Sequence, residues 1–257
     1  MAIYLLKRSY QLKNLQEVDF KDLWGDHGIF TTMWIFGKPP KILFFKNHIK
    51  NLIKSLKIYG VKKKSLERDI LKLINTNLVK RKSYNHLLRI ALNKKIISIS
   101  LRKRLTPKLD FNLKLVKLKR EKPKFKNLKY KKILSHLIKM DNTRSDIGIV
   151  YKKKILESGT SNLLFIKDKK VFTPRKDYYE GNTFKFFKTR IKKIIKKDIL
   201  INELNKYDEI ILVGSGKGVA SVKTIKQIGW KRKKLEQFKK FSKYYLIAKK
   251  KCNLYKF

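Results

Sequence analysis

The stretch Glu157–Thr183, ESGTSNLLFIKDKKVFTPRKDYYEGNT, decides the fold of this chain. It opens with a run of small residues, Ser158 to Asn162, which leads into an apolar strand at Leu163 to Ile166. A polar turn and a second apolar strand, Val171 to Pro174, complete a predicted hairpin. The stretch ends on Gly181-Asn182-Thr183, which opens a predicted helix running to Lys197 and presents free backbone N–H groups at its positive end. We interpret that end as a candidate anion cradle.

A second glycine-rich segment, Gly214 to Gly218, directly follows the predicted strand Glu209 to Val213. Glycine lets backbone N–H groups approach an anion closely, because no Cβ stands in the way. The spacing is neither that of a nucleotide P-loop nor that of a dinucleotide fingerprint, and a plain glycine-rich turn is the alternative interpretation. Two candidate anion sites in one half of the chain favour a phosphorylated cofactor.

The order of residues in Glu157–Thr183 resembles the signature of the class IV aminotransferases: a glutamate, small residues, an asparagine, an apolar pair, a turn, Thr-Pro and Gly-x-Thr. The resemblance implies pyridoxal 5′-phosphate as cofactor, with Glu157 paired to the protonated pyridine nitrogen so that the ring remains an electron sink. It also implies that Ser161 and Asn162 lie near the ring substituents and that Tyr179 lies against the ring. The residues that it assigns to the cofactor phosphate are Asn182, Thr183, Ser215 and Gly216.

The resemblance places the lysine that joins the cofactor covalently roughly thirty residues before the glutamate, at the opening of a helix. Phe125-Lys126-Asn127-Leu128-Lys129-Tyr130 occupies that place, so Lys126 is the expected catalytic residue. Lys124 and Lys129 are the alternatives if the correspondence shifts.

The first half of the chain resembles the family as well. Residues 25 to 32, GDHGIFTT, are similar to a Gly-Asp-Gly-x-Phe-Glu-Thr entry motif, which implies that Phe30 and Thr32 face the substrate. Residues 48 to 52, HIKNL, are similar to His-Leu-x-Arg-Leu, whose arginine commonly binds the cofactor phosphate. Two positions depart from the pattern: Asn51 replaces that arginine, and Thr31 replaces the glutamate. Lys50 or Lys54 is a possible substitute for the missing cation.

Strand and helix patterns alternate along the whole chain and predict an α/β, or mixed α+β, protein. The resemblance implies fold type IV, with a smaller N-terminal domain at residues 1–108, a larger C-terminal cofactor-binding domain at 109–257 and the cofactor in the cleft between them. In the first domain the pattern predicts a strand from Met1 to Tyr10, a hairpin after Ile29 to Phe36, a strand at Ile42 to Phe45, and a helix capped by Asn47. The family relationship also implies a homodimer.

Composition narrows the class of protein further. The formal charge of +48 suggests a nucleic-acid partner, but the lysines are spread along all 257 residues without the stacking motifs of RNA-recognition modules, so we expect a solvated basic surface. No apolar stretch approaches the ~20 residues of a membrane span. With Cys252 as the single cysteine, we expect neither an internal disulfide nor a cysteine-based metal site, and a cytoplasmic location. We expect a structural role for His48 and surface ion pairs for Arg89 and Arg144.

Within the family, the short chain and the Phe30-Thr31-Thr32 entry are closest to the 4-amino-4-deoxychorismate lyases, which release pyruvate and form 4-aminobenzoate for folate synthesis. A D-amino-acid or branched-chain aminotransferase is the alternative within the same family. A third possibility, motivated by Asn51, is a binding protein that keeps the fold but has lost catalysis. In either enzymatic case the substrate is a small amine-bearing molecule.

Overall fold

A computed structural model describes residues 3–256, and the chain divides into two compact units. Unit 1 contains the chain up to Arg104, the segment Phe125–Lys131 and the chain from Lys251 onward. Unit 2 contains Leu105–Lys124 and Lys132–Lys250. The chain first passes from unit 1 to unit 2 after Arg104, and two later segments return to unit 1. The predicted domains, 1–108 and 109–257, remain a prediction.

Backbone pairing explains why those two segments return. Asn127 forms an antiparallel β-bridge with Ile29, and Leu254 forms one with Lys41. In both cases the partners are far apart in sequence, so the pairing leaves no local pattern from which it could be predicted.

Unit 1 is built on a six-stranded antiparallel sheet in the order β2-β1-β6-β5-β3-β4. Strand β3 contains the apolar run of the predicted hairpin, Ile29 to Phe36, and pairs along its full length with β5. Two amphipathic helices, α1 and α2, cover one face of the sheet and bury their leucines and isoleucines against it. The elements of unit 1 are β1 Tyr4–Gln11, β2 Glu17–Val18, β3 Ile29–Gly37, β4 Lys41–Ile42, α1 Phe45–Ile58, α2 Leu66–Asn77, β5 Tyr84–Leu92 and β6 Ile96–Lys103.

Two predictions for unit 1 need correction, and one falls partly outside the described residues. The predicted strand at Ile42 to Phe45 is only the two-residue β4, because Phe44 adopts a left-handed conformation that turns the chain directly into α1. Asn47 therefore lies inside α1 and does not cap it. The predicted first strand is β1, and Met1 and Ala2 of that prediction lie outside the described residues, as does Phe257.

Unit 2 is built on a nine-stranded mixed sheet in the order β12-β11-β10-β13-β14-β7-β8-β9, with β15 paired to β14. The predicted hairpin of the signature is β10 and β11, joined at Asp168-Lys169. The elements are β7 Phe111–Lys117, α3 Lys131–Leu137, β8 Ser145–Tyr151, β9 Lys154–Ser158, β10 Asn162–Lys167, β11 Lys170–Pro174, α4 Asn182–Lys188, β12 Ile194–Lys197, β13 Glu209–Gly214, β14 Gly218–Ile225, β15 Trp230–Lys231 and α5 Glu236–Lys250, with 3₁₀ helices at Ile201–Lys206 and Lys226–Ile228.

The helix predicted from Gly181 to Lys197 is wrong in length. It ends at Lys188, and Ile194–Lys197 forms the edge strand β12, which pairs in parallel with β11. Pairing with the hairpin overrides the local pattern there. Across residues 3–256, the structure contains no helix whose length and hydropathy would suit a membrane crossing.

Candidate active site

Glu157 lies on β9 in a buried ion pair. Its Oε1 accepts a hydrogen bond from Nη1 of Arg120 at 2.8 Å, and the two side chains are 6% and 7% exposed. The backbone N–H of Tyr179 lies 3.4 Å from the other carboxylate oxygen, Oε2. The carboxylate is therefore held in an apolar setting by a cation that the sequence analysis did not identify. The only sequence signal was an arginine in a lysine-rich segment, since arginine is the residue preferred for buried pairs.

Asn162 supports the loop that precedes α4 with both ends of its side chain. Its Nδ2 donates to the carbonyl of Tyr179 at 2.5 Å, and its Oδ1 accepts from the N–H of Gly181 at 3.0 Å. A Cβ on Gly181 would stand 3.1 Å from that same Oδ1. The structure thus uses Asn162 to position the loop, and its predicted place near the ring substituents stays a prediction.

The small-residue run after Glu157 wraps around a fully buried carboxylate, Asp146. The Asp146 Oδ2 accepts hydrogen bonds from Ser158 Oγ at 3.1 Å and Thr160 Oγ1 at 2.6 Å. The ammonium of Lys217, in the second glycine-rich segment, lies 3.8 Å from the same oxygen. Asp146 therefore links the small-residue run to the second glycine-rich segment, which is one of the two candidate anion sites.

Ser161 connects the two segments directly. A Cβ built on Gly214 would lie 2.7 Å from Ser161 Oγ, so the close approach of the two backbones requires glycine there. Ser215 and Gly216 follow at once and are half-buried. Hydrogen bonds within unit 2 thus connect Glu157 on β9 and Asn162 in β10 to the loop from Tyr179 to Gly181 that precedes α4. Asn182 and Thr183 open α4, and Ser161 lies close to Gly214, directly before Ser215 and Gly216.

Thr183 tests whether these residues fit a phosphorylated cofactor. The residue is 0% exposed, and its Oγ1 has no hydrogen-bond partner among the residues the structure describes. A buried hydroxyl without a partner is costly, so such a group in a native protein usually meets a ligand or an ordered water. Its position in the first turn of α4, beside the buried Asn182, suits a phosphate oxygen. Asn182 and Thr183 therefore fit the phosphate of such a cofactor.

Lys126 lies in unit 1, in the segment that pairs with the start of β3. Its carbonyl accepts a hydrogen bond from the N–H of Phe30 at 2.9 Å, and its ammonium lies 5.1 Å from the centre of the Phe30 ring. Lys126 is half-buried, whereas the two alternatives, Lys124 and Lys129, are exposed. The assignment of Lys126 as the catalytic lysine, with Lys124 and Lys129 as alternatives, stays a prediction.

An aromatic cluster surrounds Phe30, and it contains a buried arginine. Trp24 contacts Phe30 at a centroid distance of 4.8 Å and stacks on Tyr130 at 5.6 Å. The guanidinium of Arg89 lies 3.7 Å from the centre of the Trp24 ring. We refer to Trp24, Phe30, Tyr130 and Arg89 as the aromatic cluster. Thr32, the other predicted substrate residue, pairs with Arg89 across β3 and β5 and is half-buried.

The surface ion pair predicted for Arg89 is wrong. Arg89 is 9% exposed, its Nη2 donates to the carbonyl of Asp22 at 2.6 Å, and its Nε has no hydrogen-bond partner within the described residues. Burial lowers the pKa of its guanidinium to about 10, so the group keeps its charge at neutral pH without full solvation. Arg144, by contrast, forms the predicted surface ion pair, with Asp110 as its partner.

The two residues that replace family residues in these motifs are Thr31 on β3, whose side chain faces α1, and Asn51 on α1 itself. Thr31 Oγ1 and His48 Nδ1 are 2.7 Å apart and both residues are buried, so His48 has the structural role predicted for it. Thr31 therefore faces the helix, while its strand neighbours Phe30 and Thr32 point to the opposite face of the sheet. Asn51 is half-buried on α1, and Lys50 and Lys54 beside it are exposed.

Residues 3–256 contain no group of three or more His, Cys, Asp or Glu side chains arranged to hold a metal ion.

The chain is a mixed α/β protein, and unit 2 contains a buried carboxylate at Glu157 and, unpartnered among the described residues, a buried hydroxyl at Thr183, which suit a phosphorylated cofactor. A sequence model of the amino-transferase class IV family matches residues 28–225. The chain belongs to the class IV aminotransferase family. This membership confirms the predicted enzyme class and pyridoxal 5′-phosphate as the cofactor.

Solved structures of low sequence identity share the fold. A branched-chain aminotransferase from Thermoproteus uzoniensis, solved with norvaline, is 15% identical with a TM-score of 0.74 over 96% of this chain and 95% of that one. An aminotransferase from Brucella abortus bound to PLP is 15% identical, with a TM-score of 0.72 over 96% and 99%. A protein assigned by its name to the 4-amino-4-deoxychorismate lyases, from Legionella pneumophila, is 15% identical, with a TM-score of 0.68 over 86% and 91%. No curated protein sequence matches the chain. These likenesses confirm the mixed α/β, fold type IV prediction.

Proposed function

We propose that this enzyme is a pyridoxal-phosphate-dependent lyase that converts 4-amino-4-deoxychorismate to 4-aminobenzoate and pyruvate. The observation that carries the proposal is the aromatic cluster beside Lys126, in which the buried Arg89 guanidinium lies on the Trp24 ring. The Legionella protein of the same fold supports it through its name.

The cluster suits a planar ring that bears a carboxylate. Faces and edges of Trp24, Phe30 and Tyr130 offer flat apolar contact, and each such aromatic contact is worth about 0.5–1.5 kcal/mol beyond its buried area. The incompletely solvated guanidinium of Arg89 gains a charge-assisted hydrogen bond when a carboxylate arrives, which offsets the cost of its burial. Aminodeoxychorismate carries both features on one molecule.

Lys126 is the proposed catalytic base and acid. Its Nζ takes the proton from the ring carbon that carries the amine and returns one to the departing enolpyruvyl carbon, so 4-aminobenzoate and pyruvate together contain every atom of the substrate. When bound, pyridoxal 5′-phosphate supplies an electron-withdrawing ring that stabilises negative charge on the amine-bearing carbon. The Lys126 ammonium lies 5.1 Å from the centre of the Phe30 ring, beside the aromatic cluster proposed to hold the substrate ring.

The remaining roles belong to the loops of unit 2. We assign Glu157 to the pyridine nitrogen and Asn182, Thr183, Ser215 and Gly216 to the phosphate. Asn162 and Ser161 then act by holding the loops in place, through the Tyr179 and Gly181 hydrogen bonds and the close approach to Gly214.

An aminotransferase acting on branched-chain or D-amino acids is the second candidate. The fold of the Thermoproteus branched-chain enzyme covers more of this chain than that of the Legionella protein, 96% against 86%. An aliphatic side chain, however, would leave the flat faces of the aromatic cluster without a matching ring.

Purified protein reconstituted with pyridoxal 5′-phosphate should release 4-aminobenzoate and pyruvate in equal amounts from aminodeoxychorismate. Separate reactions would contain D-alanine, or leucine, with 2-oxoglutarate, and glutamate formation would be followed. Turnover of either amino acid without any 4-aminobenzoate from aminodeoxychorismate would establish the second candidate. Cofactor binding without turnover of any of these compounds would instead indicate the non-catalytic binding protein.

The role of Arg89 has its own test. Arg89→Met should raise the KM for aminodeoxychorismate by about 10-fold or more, because a charge-assisted hydrogen bond is worth about 1.5–3 kcal/mol. Arg144→Met removes an exposed arginine and should leave KM unchanged. An unaltered KM in the Arg89 variant would remove the observation on which the substrate assignment rests. The predicted homodimer remains to be tested by light scattering of the same preparations.

A further inference from the structure

We infer that Arg120 is a positioning residue, which keeps the carboxylate of Glu157 ionised and oriented for the pyridine nitrogen of the cofactor. The inference rests on the proposed role of Glu157. Arg120 lies outside the Glu157–Thr183 stretch, and it precedes Lys126 in the segment that follows β7.

The burial of the pair is the first observation. At 6% and 7% side-chain exposure, neither the carboxylate nor the guanidinium has bulk water to stabilise its charge. Burial alone favours the neutral acid, and an opposite charge at hydrogen-bond distance favours the ionised form. The 2.8 Å contact from Arg120 Nη1 supplies that charge.

The two phenols close to Glu157 do not supply a charge. Burial raises the pKa of Tyr179 to about 12, and burial likewise raises the pKa of Tyr178 far above its ordinary value, so both phenols are neutral at neutral pH. The Tyr179 backbone N–H adds only a long contact to Oε2. On β8, the residue paired with Glu157 is the apolar Ile149. Arg120 places a cation in hydrogen-bond contact with this carboxylate.

Ionisation matters because of what Glu157 is proposed to meet. A carboxylate stabilises a protonated ring nitrogen, whereas a neutral carboxylic acid does not, and the electron-withdrawing power of the ring depends on that proton. The fixed fork of a guanidinium also restrains the direction of the carboxylate more than an ammonium could. The structure therefore gives Arg120 two effects on the cofactor, both exerted through Glu157.

The experiment compares four variants in the full chain: Arg120→Met, Arg120→Lys, Glu157→Gln and the double variant Arg120→Met with Glu157→Gln. The readouts are the Kd of pyridoxal 5′-phosphate, followed by fluorescence titration, and the visible absorption spectrum of the bound cofactor. We expect Arg120→Met and Glu157→Gln to weaken binding by about 10-fold or more and to change the absorption band in the same way, with Arg120→Lys intermediate. Arg144→Met, at an exposed pair, should match the wild type in both readouts.

Non-additivity distinguishes positioning from a general structural role. If Arg120 acts through Glu157, the double variant binds the cofactor as Glu157→Gln does. A further loss of affinity in the double variant would overturn the inference. This comparison also decides the case if Arg120→Met alone does not fold, because the double variant leaves no unpaired buried charge.

Failure of the inference and failure of the proposed role of Glu157 give different results. An unchanged spectrum and Kd in Arg120→Met, with both altered in Glu157→Gln, would refute the role of Arg120 alone. Unchanged binding and spectrum in Glu157→Gln would refute the role of Glu157, and the inference about Arg120 with it.

Discussion

Replacing Thr183 by valine should have opposite effects on the two states of this enzyme. In the cofactor-free protein the Thr183 hydroxyl is buried and has no hydrogen-bond partner among the described residues. Valine has nearly the same shape without the polar atom. Since burying an unpaired hydroxyl costs about 1–3 kcal/mol, the cofactor-free variant should be more stable by roughly 1 kcal/mol, the lower end of that range.

The cofactor-bound state should respond in the other direction. If the hydroxyl donates to a phosphate oxygen, its loss removes a hydrogen bond to a charged group worth about 1.5–3 kcal/mol. That energy corresponds to a Kd for pyridoxal 5′-phosphate raised about 10- to 100-fold. Urea denaturation without the cofactor measures the first effect, and fluorescence titration with the cofactor measures the second.

Thr173 on β11 provides the matched control. It is equally buried, but its Oγ1 already donates to the carbonyl of Leu163 at 3.1 Å. Thr173→Val should therefore destabilise the cofactor-free protein by about 1 kcal/mol and leave cofactor affinity unchanged. If Thr183→Val instead loses as much stability as Thr173→Val and keeps its affinity, the hydroxyl has a protein partner and the phosphate lies elsewhere.

Three further predictions concern the loops around the site. Gly214→Ala should destabilise the protein by about 1–3 kcal/mol in urea, because the new methyl group would lie 2.7 Å from Ser161 Oγ. Adding Ser161→Ala should restore part of this stability. If the effects of the two substitutions are independent, the contact is refuted. Asp146→Asn should lower the free energy of unfolding by about 3 kcal/mol, because it removes the carboxylate that lies 3.8 Å from the buried Lys217 ammonium. Adding Lys217→Met should recover most of this stability. No recovery would show that the two side chains are not coupled. Glu180 is half-buried, which by itself raises the pKa of its carboxyl group. Hydrogen bonds from two lysines outweigh this effect and lower the pKa below the ordinary value of 4.5. The contribution of Glu180 to stability is therefore present above pH 4.5 and is lost as the pH falls through the lowered pKa. Acid titration of Glu180→Gln should accordingly show a shallower loss of stability, and a profile identical to the wild type would contradict this.

Local patterns in the sequence predicted most elements of the fold. The signature hairpin and the strands β1, β3 and β13 were found because an alternating or continuously apolar pattern is carried by the residues themselves. The errors lie where partners that are distant in sequence decide the structure. Ile194–Lys197 is a strand because it pairs with β11, and the segment around Asn127 joins unit 1 because it pairs with Ile29.

For the candidate site, too, local residue order was informative, whereas contacts between residues distant in sequence were not predicted. Residue order was enough to single out Glu157, Lys126 and the Gly181-Asn182-Thr183 cradle as candidates, and their roles remain proposals. It could not predict Arg120, Arg89 or Asp146, because the importance of each depends on burial and on one specific contact. For Arg89 the sequence suggested the opposite environment, since an arginine on a predicted strand is usually solvated.

The role of Asp146 gives a physical reason for the small residues of the signature. A Cβ on Gly159 would lie 2.8 Å from Asp146 Oδ1, so a larger residue there would push the loop away from the carboxylate. Ser158 and Thr160 are short enough to donate to Oδ2 from the same turn. The run therefore consists of residues that can fold closely around a buried charge and satisfy its oxygens. Because Lys217 approaches the same charge from the Gly214–Gly218 segment, the two loops assigned to the cofactor are held in register by one carboxylate. On this reasoning the spacing between the small-residue run and the glycine-rich segment is free to vary, provided that both still reach Asp146.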